Sequence, residues 1–149
     1  MLIYATSIAA RPGRVWNALI DPAHTARYWG HRNVSTWTPG GRWEHRRVTD
    51  DGVDLVGTVL EVDPPRRLSH SWVVAGEEGD PARVSRVTFD LEPVGERVRV
   101  TLTHAGLPDD QVAVVDAGWP FVLASLTAYL ETGRALLPTD RPGTGTPPG

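Results

Sequence analysis

Trp37-Thr38-Pro39-Gly40-Gly41-Arg42-Trp43 decides the reading, with residues 57–65 (GTVLEVDPP) and 67–72 (RLSHSW) behind it. Two tryptophans flank a double-glycine turn, and two β-rich runs follow that end in a third tryptophan. Residues 42–49 read as the strand leaving that turn, so Trp43 and His45 share one face of it at the strand period of two. Bulky rings gathered on one face of a sheet point to an enclosed apolar space.

The pattern extends in both directions from the turn. Upstream, residues 2–9 read as a first strand rich in β-branched and aromatic residues. Pro12 suits the first turn of a helix with Val15, Trp16 and Leu19 on its apolar stripe, although Arg11 is a poor cap. Asp21-Pro22 is a better start signal and opens a short second helix that ends near Tyr28 and Trp29. Downstream, strands are expected at 34–38, 42–49, 54–63, 67–74, 84–92 and 97–103, separated by Gly- and Pro-rich turns. In the last two, Val87, Phe89, Leu91 and Val98, Val100, Leu102 define a buried face, and the alternate positions, Thr88 among them, a wet one. A long helix over 109–137 carries Val115, Trp119, Val122, Leu126 and Leu130 at helical spacing. Gly118 and Pro120 are expected to kink it or to split off its first turns.

The resulting fold class is α+β, in the order β-α-α-β6-α: a seven-stranded curved antiparallel sheet wrapped around a long C-terminal helix. A helix laid across a bent sheet leaves a gap, which becomes a cavity or is filled by large side chains. One domain is expected over 1–137, and the Pro/Gly/Thr-rich residues 138–149 read as a flexible tail.

Composition removes several classes of function. The chain has 149 residues, 40% of them hydrophobic, and a formal charge of -3, which offers no basic footprint for nucleic acid. All 15 cations are arginine, so a Schiff-base lysine is excluded. There is no cysteine, which excludes disulfides, thiolate nucleophiles and cysteine-bound metal. No P-loop, dinucleotide fingerprint, nucleophile elbow or carboxylate pair is evident. No signal peptide and no run as long as a membrane span is read, so a cytoplasmic protein without membrane contact is expected.

The ordered set of motifs resembles the SRPBCC (START-like, Bet v 1-like) superfamily and its helix-grip fold. Within it, the chain is similar to the branch of proteins related to the activator of heat-shock protein 90 ATPase. The resemblance rests on Val15-Trp16, Asp21-Pro22, Tyr28-Trp29-Gly30, the 37–43 turn, the 57–65 run, Arg67-Leu68 with Trp72, and Gly118-Trp119 with Leu123, Leu126, Tyr129-Leu130-Glu131 and Gly133. The branch's eukaryotic cochaperone carries a further N-terminal domain with no counterpart in these residues. Two positions depart from the pattern: Arg11 stands where a capping Ser or Asp is usual, and His70 where an apolar or aromatic residue is usual.

Strand phase then proposes a site. Trp43, Trp72, Trp119, Leu123 and Leu126 are expected as apolar walls, with His45, His70 and His104 as polar anchors and Arg47 in reach of a ligand carboxylate. The leading expectation is a binding protein for a hydrophobic or aromatic small molecule held between helix and sheet. No cofactor and no metal are expected, and a homodimer is left open. The first alternative is a cyclase/aromatase-like or hydrolytic enzyme using His70 or His104 as its acid–base group. The second is a chaperone-linked interaction protein.

Overall fold

The computed structural model describes residues 1–136. Residue 137 and the expected tail over 138–149 lie outside the described residues. The elements follow as β1 (Leu2–Ile8), α1 (Pro12–Ile20), α2 (Pro22–Tyr28), β2 (His31–Ser35), β3 (Arg42–Arg47), β4 (Val53–Asp63), β5 (Arg67–Val74), β6 (Ser85–Val94), β7 (Arg97–Ala105) and α3 (Asp109–Thr132), with a 3-10 turn at Pro81–Arg83. This is the helix-grip arrangement. All neighbouring strands are antiparallel, in the order β1-β7-β6-β5-β4-β3-β2, so the first strand closes one edge beside the last and β2 forms the other.

Local chemistry sets the element boundaries. The Asp21 side chain accepts from the Ala23 N–H and caps α2, with Pro22 behind it, whereas Arg11 gives α1 no side-chain cap. Register shifts at His45/Arg46 and Val59/Glu61 bend β3 and β4. Gly57, paired with Trp43, lets β5 come close: a Cβ there would sit 1.9 Å from the Ser71 carbonyl oxygen. The curved inner face holds one core that runs from Ile8 through Trp43, Leu68 and Leu102 to Leu126 and Leu130.

Four expectations need correction. β2 begins at His31, not 34, because Gly30 at φ +81° turns the chain directly out of α2 into the sheet. Its inward residues are then His31 and Asn33, while Val34 is only half-buried. α3 runs unbroken through Pro120 and ends at Thr132, where Gly133 at φ +80° donates its N–H to the Tyr129 carbonyl. The exposed proline gives up one backbone bond, and buried Val115, Gly118, Trp119, Val122 and Leu123 on either side keep the helix on the sheet. By length and composition α3 also reaches membrane-span dimensions, with mean hydropathy 1.4, which the sequence reading denied to every run. Here its apolar stripe lies in the grip of the sheet. Thr88, expected wet, is buried in a bond to Ser69 Oγ at 3.1 Å, with Arg86 Nε on the same hydroxyl at 3.0 Å.

Candidate functional site

Five elements converge at the middle of the grip. β3 presents Trp43 and His45, β5 presents His70 and Trp72, β7 presents His104, α3 presents Trp119, and Trp29 arrives from the end of α2. All seven side chains are buried. Trp43 stacks on His70 with ring centroids 4.1 Å apart and on Trp72 at 5.5 Å. Trp72 meets Trp119 at 5.4 Å, and Trp29 closes the group against His45 at 4.9 Å and Trp119 at 5.3 Å. The tryptophan–tryptophan distances fall in the range where aromatic pairs add to plain area burial. Leu123 and Leu126 continue the buried stripe of α3 beyond Trp119.

The three expected histidines differ sharply in their bonding. His104 is used at both nitrogens. The Trp119 indole N–H donates to its Nδ1 at 3.0 Å, so Nε2 carries the proton and donates to Ser85 Oγ at 2.7 Å. The Ser85 hydroxyl in turn donates to the Trp72 carbonyl at 3.1 Å, tying α3, β7, β6 and β5 together. Burial, then the charge of His70, holds His104 down at about 3. His70 donates from Nδ1 to the Ser71 carbonyl at 2.8 Å, and burial holds it at about 4 despite that bond. His45 Nδ1 meets Asn33 Oδ1 at 2.5 Å. Burial first, then the charges of His31 and His70, push His45 well below the ordinary histidine range.

Arg47 is not brought to this cluster. Its guanidinium binds Asp50 at 2.9 Å and also Asp54, at the strand end beyond the bulge. Asp54 accepts from His31 Nε2 at 2.9 Å, and the His31 ring lies flat on His45, with centroids 3.9 Å apart and planes 7° from parallel. Arg47 therefore acts on the site through Asp54 and His31. Two site residues, His31 and Asn33, escaped sequence reasoning because β2 was placed too late. The signal that would have found them is the helix-ending Trp29-Gly30 immediately before two polar residues at strand spacing.

Among the described residues, three buried polar atoms of this one group lack a partner: His31 Nδ1, Trp43 Nε1 and His45 Nε2. Buried polar atoms are nearly always satisfied, and each orphan costs about 1–3 kcal/mol. Surface clefts over Arg67 and Asp90, beside Arg11 and Arg97, and between Arg14, Arg27 and Tyr129 are lined by none of the cluster's residues. Among the described residues, no group of three or more His, Asp or Glu side chains is placed to hold a metal ion.

Comparison with known proteins follows the same outline. Residues 9–131 match the family described as Activator of Hsp90 ATPase homolog 1-like protein. CalU16 from Micromonospora echinospora is 27% identical, with a TM-score of 0.71 over 87% of this chain and 73% of that one. Protein MLL2253 from Mesorhizobium loti is 28% identical, with a TM-score of 0.74 over 87% and 96%. DynU16, a protein in the dynemicin biosynthetic locus, is 27% identical, with a TM-score of 0.69 over 90% of this chain and 48% of its own length. A sequence comparison with curated proteins finds no match.

Proposed function

The chain belongs to the family of Activator of Hsp90 ATPase homolog 1-like proteins, and on that premise we propose that it is a cytoplasmic binding protein for an aromatic or hydrophobic small molecule. The family's fold supports a ligand-binding or cyclase-like role. The molecule sits between α3 and the inner sheet face, walled by Trp29, Trp43, Trp72, Trp119, Leu123 and Leu126. The observation that carries this reading is the set of unpartnered atoms at His31, Trp43 and His45. A core built for stability alone gains nothing from orphaned donors and acceptors, whereas a site that receives a guest needs them.

Binding is favoured over acid–base catalysis by the state of the histidines. His70 and His104, held near 4 and 3, are weak bases at neutral pH, and both nitrogens of His104 are already engaged.

Native mass spectrometry of protein isolated from its own host tests the proposal. The expected result is a non-covalent adduct of small-molecule mass that is lost on Trp72→Ala. A bare protein mass, together with no thermal shift across a panel of bicyclic and tricyclic aromatics, would overturn it. The family name also brings in a chaperone-directed reading. Capture of Hsp90 by wild-type and Trp72→Ala protein alike would favour that reading, and no capture above background would end it.

A further inference from the structure

Given the binding role proposed above, we propose that the guest carries a neutral hydroxyl on its aromatic ring, held between the Trp43 indole N–H and His45 Nε2. The assignment comes from working out which atom holds which proton. Asn33 Oδ1 is an acceptor, so the 2.5 Å contact fixes the proton of His45 on Nδ1. A buried histidine kept neutral by its surroundings then offers only a lone pair at Nε2. The indole of Trp43, two residues along the same strand face, offers only a donor at Nε1. Their rings lie within 22° of parallel with centroids 5.7 Å apart, and neither atom has a partner among the described residues.

A free donor on Trp43 and a free acceptor on the ring stacked against it, both buried, make a selective complement, with His31 Nδ1 the third unpartnered atom of the group. A hydroxyl satisfies both at once, accepting from Trp43 and donating to His45. A carboxylate has no proton for the His45 lone pair and would bring a bare charge into a site with no cation facing it. Arg47, at the end of β3, is already taken by Asp50 and Asp54. An ammonium has no acceptor for the Trp43 N–H. The flanking indoles of Trp29 and Trp72 supply flat walls for the ring that bears the hydroxyl. Asn33 has a definite part here: it sets the tautomer of His45, and the backbone N–H of Asn33 is itself fixed by the Thr25 hydroxyl at 2.9 Å.

The test is a calorimetric titration of the full chain with three probes of one skeleton: 2-naphthol, naphthalene and 2-naphthoate. 2-Naphthol should bind at least about tenfold more tightly than naphthalene, since a site that desolvates its polar groups discriminates against an analogue lacking the hydroxyl. 2-Naphthoate should give no measurable heat of binding. In Trp43→Phe or His45→Phe, whichever folds, the advantage of 2-naphthol should fall to within about twofold while naphthalene still binds. Equal affinity of 2-naphthol and naphthalene for the wild type would overturn the hydroxyl assignment and leave the binding role standing, with a resident water serving Trp43 and His45. Binding of 2-naphthoate in preference to 2-naphthol would overturn it as well. No binding of any probe would overturn the hydroxyl assignment, whereas the adduct found by native mass spectrometry judges the binding role separately.

Discussion

Mild acidification should weaken this fold through its buried histidines. His70 and His104 have an ordinary value of 6.5 in the unfolded chain and are held near 4 and 3 in the fold. Both are neutral in either state above pH 7.5, so they make no pH-dependent difference there. As pH falls below 6.5 the unfolded chain takes up protons that the folded one refuses, and stability drops until the folded values are reached. One unit of pKa difference corresponds to about 1.4 kcal/mol. Between pH 7.5 and pH 5 each of these two histidines therefore removes about 2 kcal/mol, roughly 4 kcal/mol together. His45, pushed down by burial and by the charges of His31 and His70, adds to the loss in the same direction. Set against a typical domain stability of about 5–15 kcal/mol, this is a large share. The carboxylates held low by arginine, such as Glu44 by Arg42 and Arg46 and Asp110 by Arg83, weaken the fold only at lower pH. Urea unfolding at pH 7.5, 6 and 5 measures the effect, and stability near pH 5 should fall by at least about 2.5 kcal/mol per pH unit, the slope for two protons. His104→Gln, which keeps one donor and one acceptor for Ser85 and Trp119, should lower that slope by about one proton. A stability constant within about 1 kcal/mol from pH 7.5 to 5 would refute the reasoning, because it would mean the buried histidines protonate without resistance.

Further outcomes follow from single contacts. Gly57→Ala places a methyl against the Ser71 carbonyl and should cost more than about 2 kcal/mol in urea unfolding, since backbone must move. Trp119→Phe keeps the ring but strands His104 Nδ1, and should lower the urea midpoint by the equivalent of about 1–3 kcal/mol at constant m-value. Asp21→Ala removes the acceptor for the Ala23 N–H and should cost about 1 kcal/mol, with Asp21→Asn recovering most of it.

Much of this architecture could be read from the chain because its strands alternate cleanly and its turns are marked. Val87, Phe89, Leu91 and Val98, Val100, Leu102 face inward as the period of two requires. Asp21-Pro22 announces a helix that the fold indeed caps there. The reading failed where polarity and direction part company. In β2 the inward residues are His31 and Asn33 and the more exposed one is Val34, so hydrophobic phasing finds the wrong strand limits. The bulge at His45/Arg46 had the same effect on Arg47, whose position looked in phase with Trp43 but whose side chain turns to two aspartates. Pro120 misled for another reason: propensity rules weigh one lost backbone bond, and the tertiary burial around Trp119 outweighs it. The histidines were placed inward by phase, yet which nitrogen of each is spoken for depends on partners far along the chain, Trp119 for His104 and Asn33 for His45. No sequence pattern carries that information.

The binding role meets its most direct test in a ¹H–¹⁵N spectrum of the tryptophan indoles during titration with 2-naphthol. The resonances of Trp29, Trp43, Trp72 and Trp119 should shift together and saturate at one affinity, while those of Trp16, in α1, and Trp37, in the β2–β3 turn, stay in place. Shifts confined to Trp16 and Trp37 would contradict a site between α3 and the sheet.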